Sequence, residues 1–267
     1  MTIGDALLDV IVRLEEPLAA GADANATTTT GAGGQAANVA AWAVVLGGKA
    51  RVVAKRGSDA AGELIDAELE TRGVNVQGPV DGRTGVVVSV VGDDGERTMA
   101  SDRGDAPELR ASDLDPHWFA CDRLHISGYA LLALPIADAV RGAAEHARAH
   151  GAAVSVDLSA WTRIRAFGAS RFAERVSELE PDLVFANEEE LNEVGADALE
   201  VRTIVVKRGP LGIRVVGENA RELPAKEAVV VDATGAGDAL AAGYLVGGPE
   251  LALEAAARCV AKLGAMP

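Results

Sequence analysis

The feature that most limits the fold is an alternation in the second half of the chain. Short apolar runs at Arg123–Ser127, Ala153–Asp157, Leu183–Asn187, Thr203–Lys207, Ile213–Val216 and Val229–Val231 read as strands. Helical patterns cover Pro135–His150, Ser170–Leu179, Glu188–Val194 and Asp238–Val246, with a last one over Glu250–Leu263. Strands separated by helices predict an α/β fold with a mainly parallel sheet covered on both faces. Such sheets take ligands beyond the carboxyl ends of their strands. Those ends here carry Asp157, Asn187, Lys207 and Asp232, so several polar groups should face one edge.

The stretch Val229–Gly243 places chemistry at that edge. Three valines run into Asp232, a Gly235-Ala236-Gly237 turn follows, and Asp238 opens an alanine-rich helix. Glycine lets the backbone turn several N–H groups toward one spot, and the helix adds the positive end of its dipole. Such a pocket attracts an anion. A carboxylate beside it is placed to take a proton from a hydroxyl that attacks a phosphoryl group. The plainer alternative is a helix N-cap acid after a flexible turn.

The first half mixes this pattern with β-rich inserts. Met1–Gly4 begins as a very short strand, and Leu7–Leu14 carries Asp9 inside an apolar run. A threonine-rich segment, Thr27–Thr30, leads to Gly31–Gly34 and then to a helix over Gln35–Leu46. Gly33 and Gly34 let a ligand approach the backbone, and Asn38 lies one turn inside that helix. Arg51–Lys55 reads as a strand and Asp59–Arg72 as a helix stopped by Gly73. Thr84–Val91 and Arg97–Ser101 flank Gly92-Asp93-Asp94-Gly95, a hairpin signal. The two stretches about Arg13–Thr30 and Arg83–Asp102 therefore lie outside the main alternation and can pair into a small second sheet.

Composition excludes several classes. The chain has 267 residues with 49% apolar residues and a net charge of −15. No apolar run is long enough to span a bilayer, and no leader-like N-terminus is present. That predicts a soluble, cytoplasmic protein. The negative charge argues against a nucleic-acid partner, whose phosphates need clustered Lys and Arg. Cys121 and Cys259 fit two reduced thiols. His146 and His150 sit four apart on a helix with no third ligand in view, so they read as solvated surface. Neither a Gly-x-x-x-x-Gly-Lys-Ser/Thr phosphate loop nor a Gly-x-Ser-x-Gly elbow occurs.

Taken together, these motifs resemble the ribokinase-like (PfkB) family of carbohydrate and nucleoside kinases. Asp232-Ala-Thr-Gly-Ala-Gly-Asp238 is similar to its C-terminal signature. Gly4-Asp5 through Asp9, followed by Gly33-Gly34-Gln-Ala-Ala-Asn38, resembles its N-terminal sugar-binding signature. Asn187-Glu-Glu-Glu190 matches its Asn-x-x-Glu motif, and Lys207-Arg-Gly209-Pro-Leu-Gly212 resembles its nucleotide-side turn. The four motifs keep the family order across nearly the whole chain. In two places the chain differs: its first strand starts later, and Leu158-Ser159 follows Asp157 where many members have Pro-Asn.

The resemblance implies a three-layer α/β/α sandwich with a small β-sheet lid. It implies a single kinase domain over residues 1–267, with lid strands inserted at about 13–30 and 83–102. Asp238 would be the general base, and Gly235, Ala236 and Gly237 the anion hole. Asp9, Gly33, Gly34 and Asn38 would hold the acceptor, with Arg103 as a further contact. Asn187, Lys207, Gly209 and Gly212 would line ATP. Glu190 with Asn187 would hold Mg²⁺ through water, and Asp232 with Thr234 would shape a loop for a monovalent cation such as K⁺. The expected reaction is phosphorylation of a hydroxymethyl group on a small sugar. The alternatives are a nucleoside kinase of adenosine or pseudouridine type, a phosphosugar kinase, or a non-catalytic sugar- or nucleotide-binding protein. A homodimer through the lid is a further expectation.

Overall fold

The computed structural model describes residues 1–92 and 97–267. In chain order the strands are β1 (Thr2–Ile3), β2 (Leu7–Leu14), β3 (Ala26–Gly33), β4 (Arg51–Val53), β5 (Asn75–Gln77), β6 (Thr84–Val91), β7 (Arg97–Gly104), β8 (Arg123–Ser127), β9 (Ala153–Asp157), β10 (Leu183–Asn187), β11 (Thr203–Lys207), β12 (Ile213–Gly217) and β13 (Arg221–Leu223). The helices are α1 (Gln35–Val45), α2 (Ala60–Thr71), α3 (Ile136–Ala149), α4 (Trp161–Phe167), α5 (Ala169–Ser177), α6 (Glu188–Val194), α7 (Ala236–Gly247) and α8 (Pro249–Val260).

Nine strands form one sheet in the order β13-β12-β11-β10-β9-β8-β1-β4-β5. Pairing is parallel from β11 to β5, and the β11–β12 and β12–β13 pairs are antiparallel. The two-residue β1 is a central strand despite its length, with β8 on one side and β4 on the other.

Alternation along each strand sends side chains to two cores. Val184 and Ala186 of β10 join a core with α3, α5 and α6, where Val140, Phe172 and Leu191 are buried. Leu183 and Phe185 face the other way, among Trp42 of α1, Ala241 of α7 and Leu253 of α8. Near β4, Ile65 and Leu69 of α2 pack with Ala37 and Ala41 of α1. The result is a three-layer α/β/α arrangement. No helix among the described residues is long and apolar enough to cross a membrane.

The second sheet has four strands, β3-β2-β6-β7, with β2–β6 parallel and the outer pairs antiparallel. It begins at Leu7, so it takes in more of the first apolar run than the stretch about 13–30. Most of the hairpin turn expected at Gly92–Gly95 lies outside the described residues. The chain passes from this sheet directly into the large one through Gly33, Gly34 and α1.

The structure differs from the sequence reading in several places, among them the short edge strands β5 and β13, which the sequence does not signal. Val229–Val231 is not a strand: Val229 is 82% exposed and joins neither sheet. Its valines favour an extended chain, but propensity supplies no pairing partner; instead the Val231 N–H donates to Val260 O at the end of α8. The helix at Trp161–Phe167 was not expected, because its only fully buried side chain, Ile164, leaves little periodicity to read.

Phe185 fills the middle of β10, fully buried, with edge-on contacts to His125 and Tyr244. Phe185→Ala should therefore cost about 3–5 kcal/mol. The check is a urea titration, where the midpoint should fall with little change in slope.

Candidate active site

The candidate site is built from strand ends that the sheet register puts side by side. Asn187 pairs with Lys207 across β10 and β11, and Asp157 ends the neighbouring β9. The Lys207 side chain crosses β10, and its Nζ donates to Asp157 Oδ2 at 2.7 Å and Oδ1 at 2.9 Å. Asp157 is completely buried and also accepts the Ser159 N–H at 3.1 Å. Asp157, which the sequence left without a ligand role, is thus the anchor of Lys207.

Above this pair sits the glycine turn that starts α7. Gly235 has φ 74°, in the left-handed region, and a Cβ there would come within 2.4 Å of Ala265 Cβ. Only glycine meets both conditions. A Cβ at Gly237 would lie 3.4 Å from Lys207 Nζ, so the ammonium is packed against the turn. Asp238 follows in the first turn of α7. Its Oδ2 accepts from Asn38 Nδ2 at 2.7 Å, which ties α1 to α7.

The environment of Asp238 is unusual for a carboxylate. Burial pushes its pKa up to about 7, against the lowering effect of the Asn38 hydrogen bond. Asp157 adds to the rise, while Lys207 and the Gln35 side chain act to keep the group ionised. Lys207 stays charged: burial alone would lower its pKa, but Asp157 and then Glu190 outweigh that and hold it above its usual value.

Asn187 and Glu190 are joined as a reciprocal helix cap at the start of α6. Glu190 Oε2 accepts the Asn187 N–H at 2.8 Å, and Asn187 Oδ1 accepts the Glu190 N–H at 2.7 Å. This satisfies two orphan donors of the helix. Burial raises the Glu190 pKa, with Lys207 opposing the rise.

At the lid side, the Asp9 carboxylate lies over Gly33, where a Cβ would come within 2.1 Å of Asp9 Cγ. Gly34 has φ 92°, and a Cβ there would lie 2.5 Å from Asp5 O. Asp9, Gly33, Gly34 and Asn38 are thereby gathered at the junction of lid and α1. Arg103 from β7 makes a forked ion pair with Asp5, Nε to Oδ2 at 2.6 Å and Nη2 to Oδ1 at 2.8 Å. Its guanidinium thus ties the lid to the body of the molecule.

Two further groups complete the picture. Asp232 accepts the Thr234 N–H at 2.8 Å and the Gly264 N–H at 2.9 Å, and also bonds the Thr234 hydroxyl. Gly209 and Gly212 bound a single turn after β11, at φ 53° and 86°. Among the described residues no three His, Cys, Asp or Glu side chains cluster to hold a metal. His146 stacks on Phe119, and His150 meets the His146 carbonyl.

Gln35, Ser127 and Ser159 were not singled out from the sequence. Gln35 Oε1 accepts from both hydroxyls, at 2.7 Å from Ser159 Oγ. Position within the Gly33–Asn38 motif is the only signal that could have flagged Gln35. The serines are distant in sequence and only the fold brings them to it.

Asp238 gives a stability test with a definite sign. Its folded pKa, about 7, lies above its ordinary 3.8. The ionisation penalty is therefore absent below about pH 4 and grows as pH rises through 7. Asp238→Asn should raise the melting temperature at pH 8, reflecting a gain on the order of a few kcal/mol. That gain should shrink as pH falls from 7 to 4 in a thermal-melt series.

Comparison with known proteins gives a consistent result. Residues 1–266 match the family described as pfkB family carbohydrate kinase. The chain is similar to an ATP-dependent ribose-1-phosphate kinase of Halopiger xanaduensis, 29% identical over 97% of this chain and 89% of that protein. It is also similar to a cytidine kinase of Thermococcus kodakarensis, 28% identical over 80% of this chain and 79% of the relative. Among solved structures, adenosine kinase from Sinorhizobium meliloti superposes with a TM-score of 0.89 at 28% identity, covering 100% of this chain and 94% of that one.

Proposed function

The chain belongs to the pfkB family of carbohydrate kinases, and on that footing we propose that it transfers the γ-phosphoryl group of ATP to a hydroxymethyl group of a small sugar. The observation that carries this reading is the Asp238 carboxylate directly after the Gly235–Gly237 turn, where desolvation pushes its pKa up to about 7. A base is most useful when its pKa lies near the working pH. The acceptor hydroxyl gives its proton to Asp238, its oxygen bonds the γ-phosphorus, and the bond to the bridging oxygen breaks to release ADP. The amides of Gly235, Ala236 and Gly237 steady the charge on the group in transit.

Acceptor binding falls to Asp9, Gly33, Gly34 and Asn38. Asn38 spends its amide N–H on Asp238, and its Oδ1 is buried without a partner among the described residues. An acceptor hydroxyl donating to that oxygen would lie next to the base. Arg103 contributes through Asp5 by holding the lid in place. Asn187, Gly209 and Gly212 would line the nucleotide. Glu190 fits a role in holding Mg²⁺ through water, because both of its oxygens already accept from Asn187. The ion, when bound, would screen the phosphate charge. Asp232, which accepts from Thr234 and from the Gly264 N–H, would with Thr234 shape a monovalent-cation loop.

A nucleoside acceptor is the second reading, favoured by likeness to proteins named adenosine kinase and cytidine kinase. A phosphosugar is favoured by the relative named ribose-1-phosphate kinase, although Arg103 already has Asp5 as a counter-charge. A phosphotransfer screen over pentoses, hexoses, ribose 1-phosphate and nucleosides decides among these acceptors. No transfer to any of them would leave a binding protein.

Two variants test the roles. Asp238→Asn should lower kcat by about 10²–10⁴ with KM values little changed. In the wild type, kcat/KM should rise with pH and level off above about 7, since the base must be ionised. Asp9→Ala should raise the acceptor KM by about 10- to 100-fold through loss of a charge-assisted hydrogen bond. The KM for ATP should stay nearly constant; a shift there instead would assign Asp9 to the nucleotide end.

A further inference from the structure

We propose that Lys207 is a catalytic residue whose ammonium contacts the phosphoryl group in transit, with Asp157 holding it there; this rests on the kinase reading above. Three observations point to it. Lys207 does not extend along β11 toward the Gly209–Gly212 turn but crosses β10 to Asp157. Its Nζ is 3.4 Å from the position of a Cβ on Gly237, which puts it directly against the turn that offers amides to an anion. An ammonium has three N–H donors, and Asp157 takes two of them. One donor is left for another partner.

The charge balance gives the reason for such a group. Asp157, Glu190 and Asp238 all act electrostatically on Lys207. A polyanionic nucleotide entering a cleft with these three carboxylates and no cation would be repelled. One fixed ammonium beneath the amide turn, with a donor unspent, offsets that charge locally where the phosphoryl group passes. Its position is preorganised, because the bidentate contact to a wholly buried carboxylate leaves the side chain little freedom. During transfer the acceptor oxygen bonds phosphorus, the electron pair of the breaking bond stays on ADP, and the proton goes to Asp238. Lys207 keeps its own proton throughout.

The competing explanation is that Lys207 serves only to neutralise Asp157, since removing one partner of a buried pair leaves an uncompensated charge. Paired variants separate the two. Lys207→Met should lower kcat by about 10²–10³, as loss of a single transition-state donor does. It should also move the acid limb of the kcat/KM profile upward, because Lys207 is one of the groups that keep Asp238 ionised. The other groups acting on Asp238 are Asp157, Asn38 and Gln35, and all stay in place.

The double variant Lys207→Met/Asp157→Asn removes both charges and leaves no orphan, so it should fold even where the single variant does not. Its kcat should remain at least about 10²-fold down. Recovery to within about threefold of wild type would overturn the proposal and leave Lys207 as a counter-ion. Calorimetric titration with ADP and aluminium fluoride gives a readout independent of the acceptor. The affinity gain that fluoride brings over ADP alone should be lost in the double variant. If wild type transfers to no acceptor yet shows that fluoride-dependent gain through Lys207, the kinase reading fails and with it the catalytic role, while the Lys207 contact to the γ-phosphoryl position stands. If the gain is equal in wild type and double variant, the assignment fails whatever the reaction.

Discussion

The parallel pairing of β8 to β11 is the constraint from which the site follows. Hydrogen-bonded register places Ser127 opposite Asp157 and Asn187 opposite Lys207. Every polar strand end then emerges at the same edge, within reach of its neighbour. A lysine on β11 can meet an aspartate on β9 because only one strand stands between them. A slip of one residue would turn these side chains to the opposite face, into cores occupied by Val140 or Trp42. Burial of the strand interiors thus fixes the polar edge without any contribution from the polar groups themselves.

That edge collects charge that a structural purpose does not require. Asp157 and Glu190 are buried and Asp238 is partly so, and burying carboxylates is costly unless each is matched. Asp157 is matched by Lys207, and Glu190 by its cap with Asn187. Asp238 has a weaker match, a neutral amide from Asn38, and its pKa rises accordingly. The least compensated of the three carboxylates is the one nearest the glycine turn. A site tuned only for stability would place its poorest match elsewhere.

Much of this was legible in the chain because short-range rules governed it. The alternation of apolar runs and helical patterns is a local signal, and it places most of the longer strands and helices to within a few residues, though not the three-residue β5 and β13. The helix over Glu188–Val194 and the glycine turn before Asp238 follow from capping and turn chemistry alone. What could not be read depends on distant partners. Val229–Val231 has the composition of a strand but no neighbour to pair with. β1 has two residues, yet is an interior strand of the sheet because β4 and β8 bracket it. Arg103 and Asp5 are 98 residues apart, and Lys207 and Asp157 are 50 apart. No spacing rule links such pairs, so their roles emerge only from the fold.

The same long-range contacts join the lid to the chemistry. Strand β3 ends at Gly33, a single residue, Gly34, follows, and α1 begins at Gln35. The lid strand and α1, whose Asn38 donates to Asp238 of α7, are therefore one continuous piece of chain. Gln35 is fixed by Ser127 and Ser159 from two strand ends, and Asn38 is fixed by Asp238. On the far side of the lid, Arg103 is clamped to Asp5, only four residues before Asp9. Gly34 has no side chain to absorb a displacement, and a Cβ there would strike the Asp5 carbonyl. The close approach at Gly34 sets the small sheet against α1, and so beside Asn38 and its bond to Asp238.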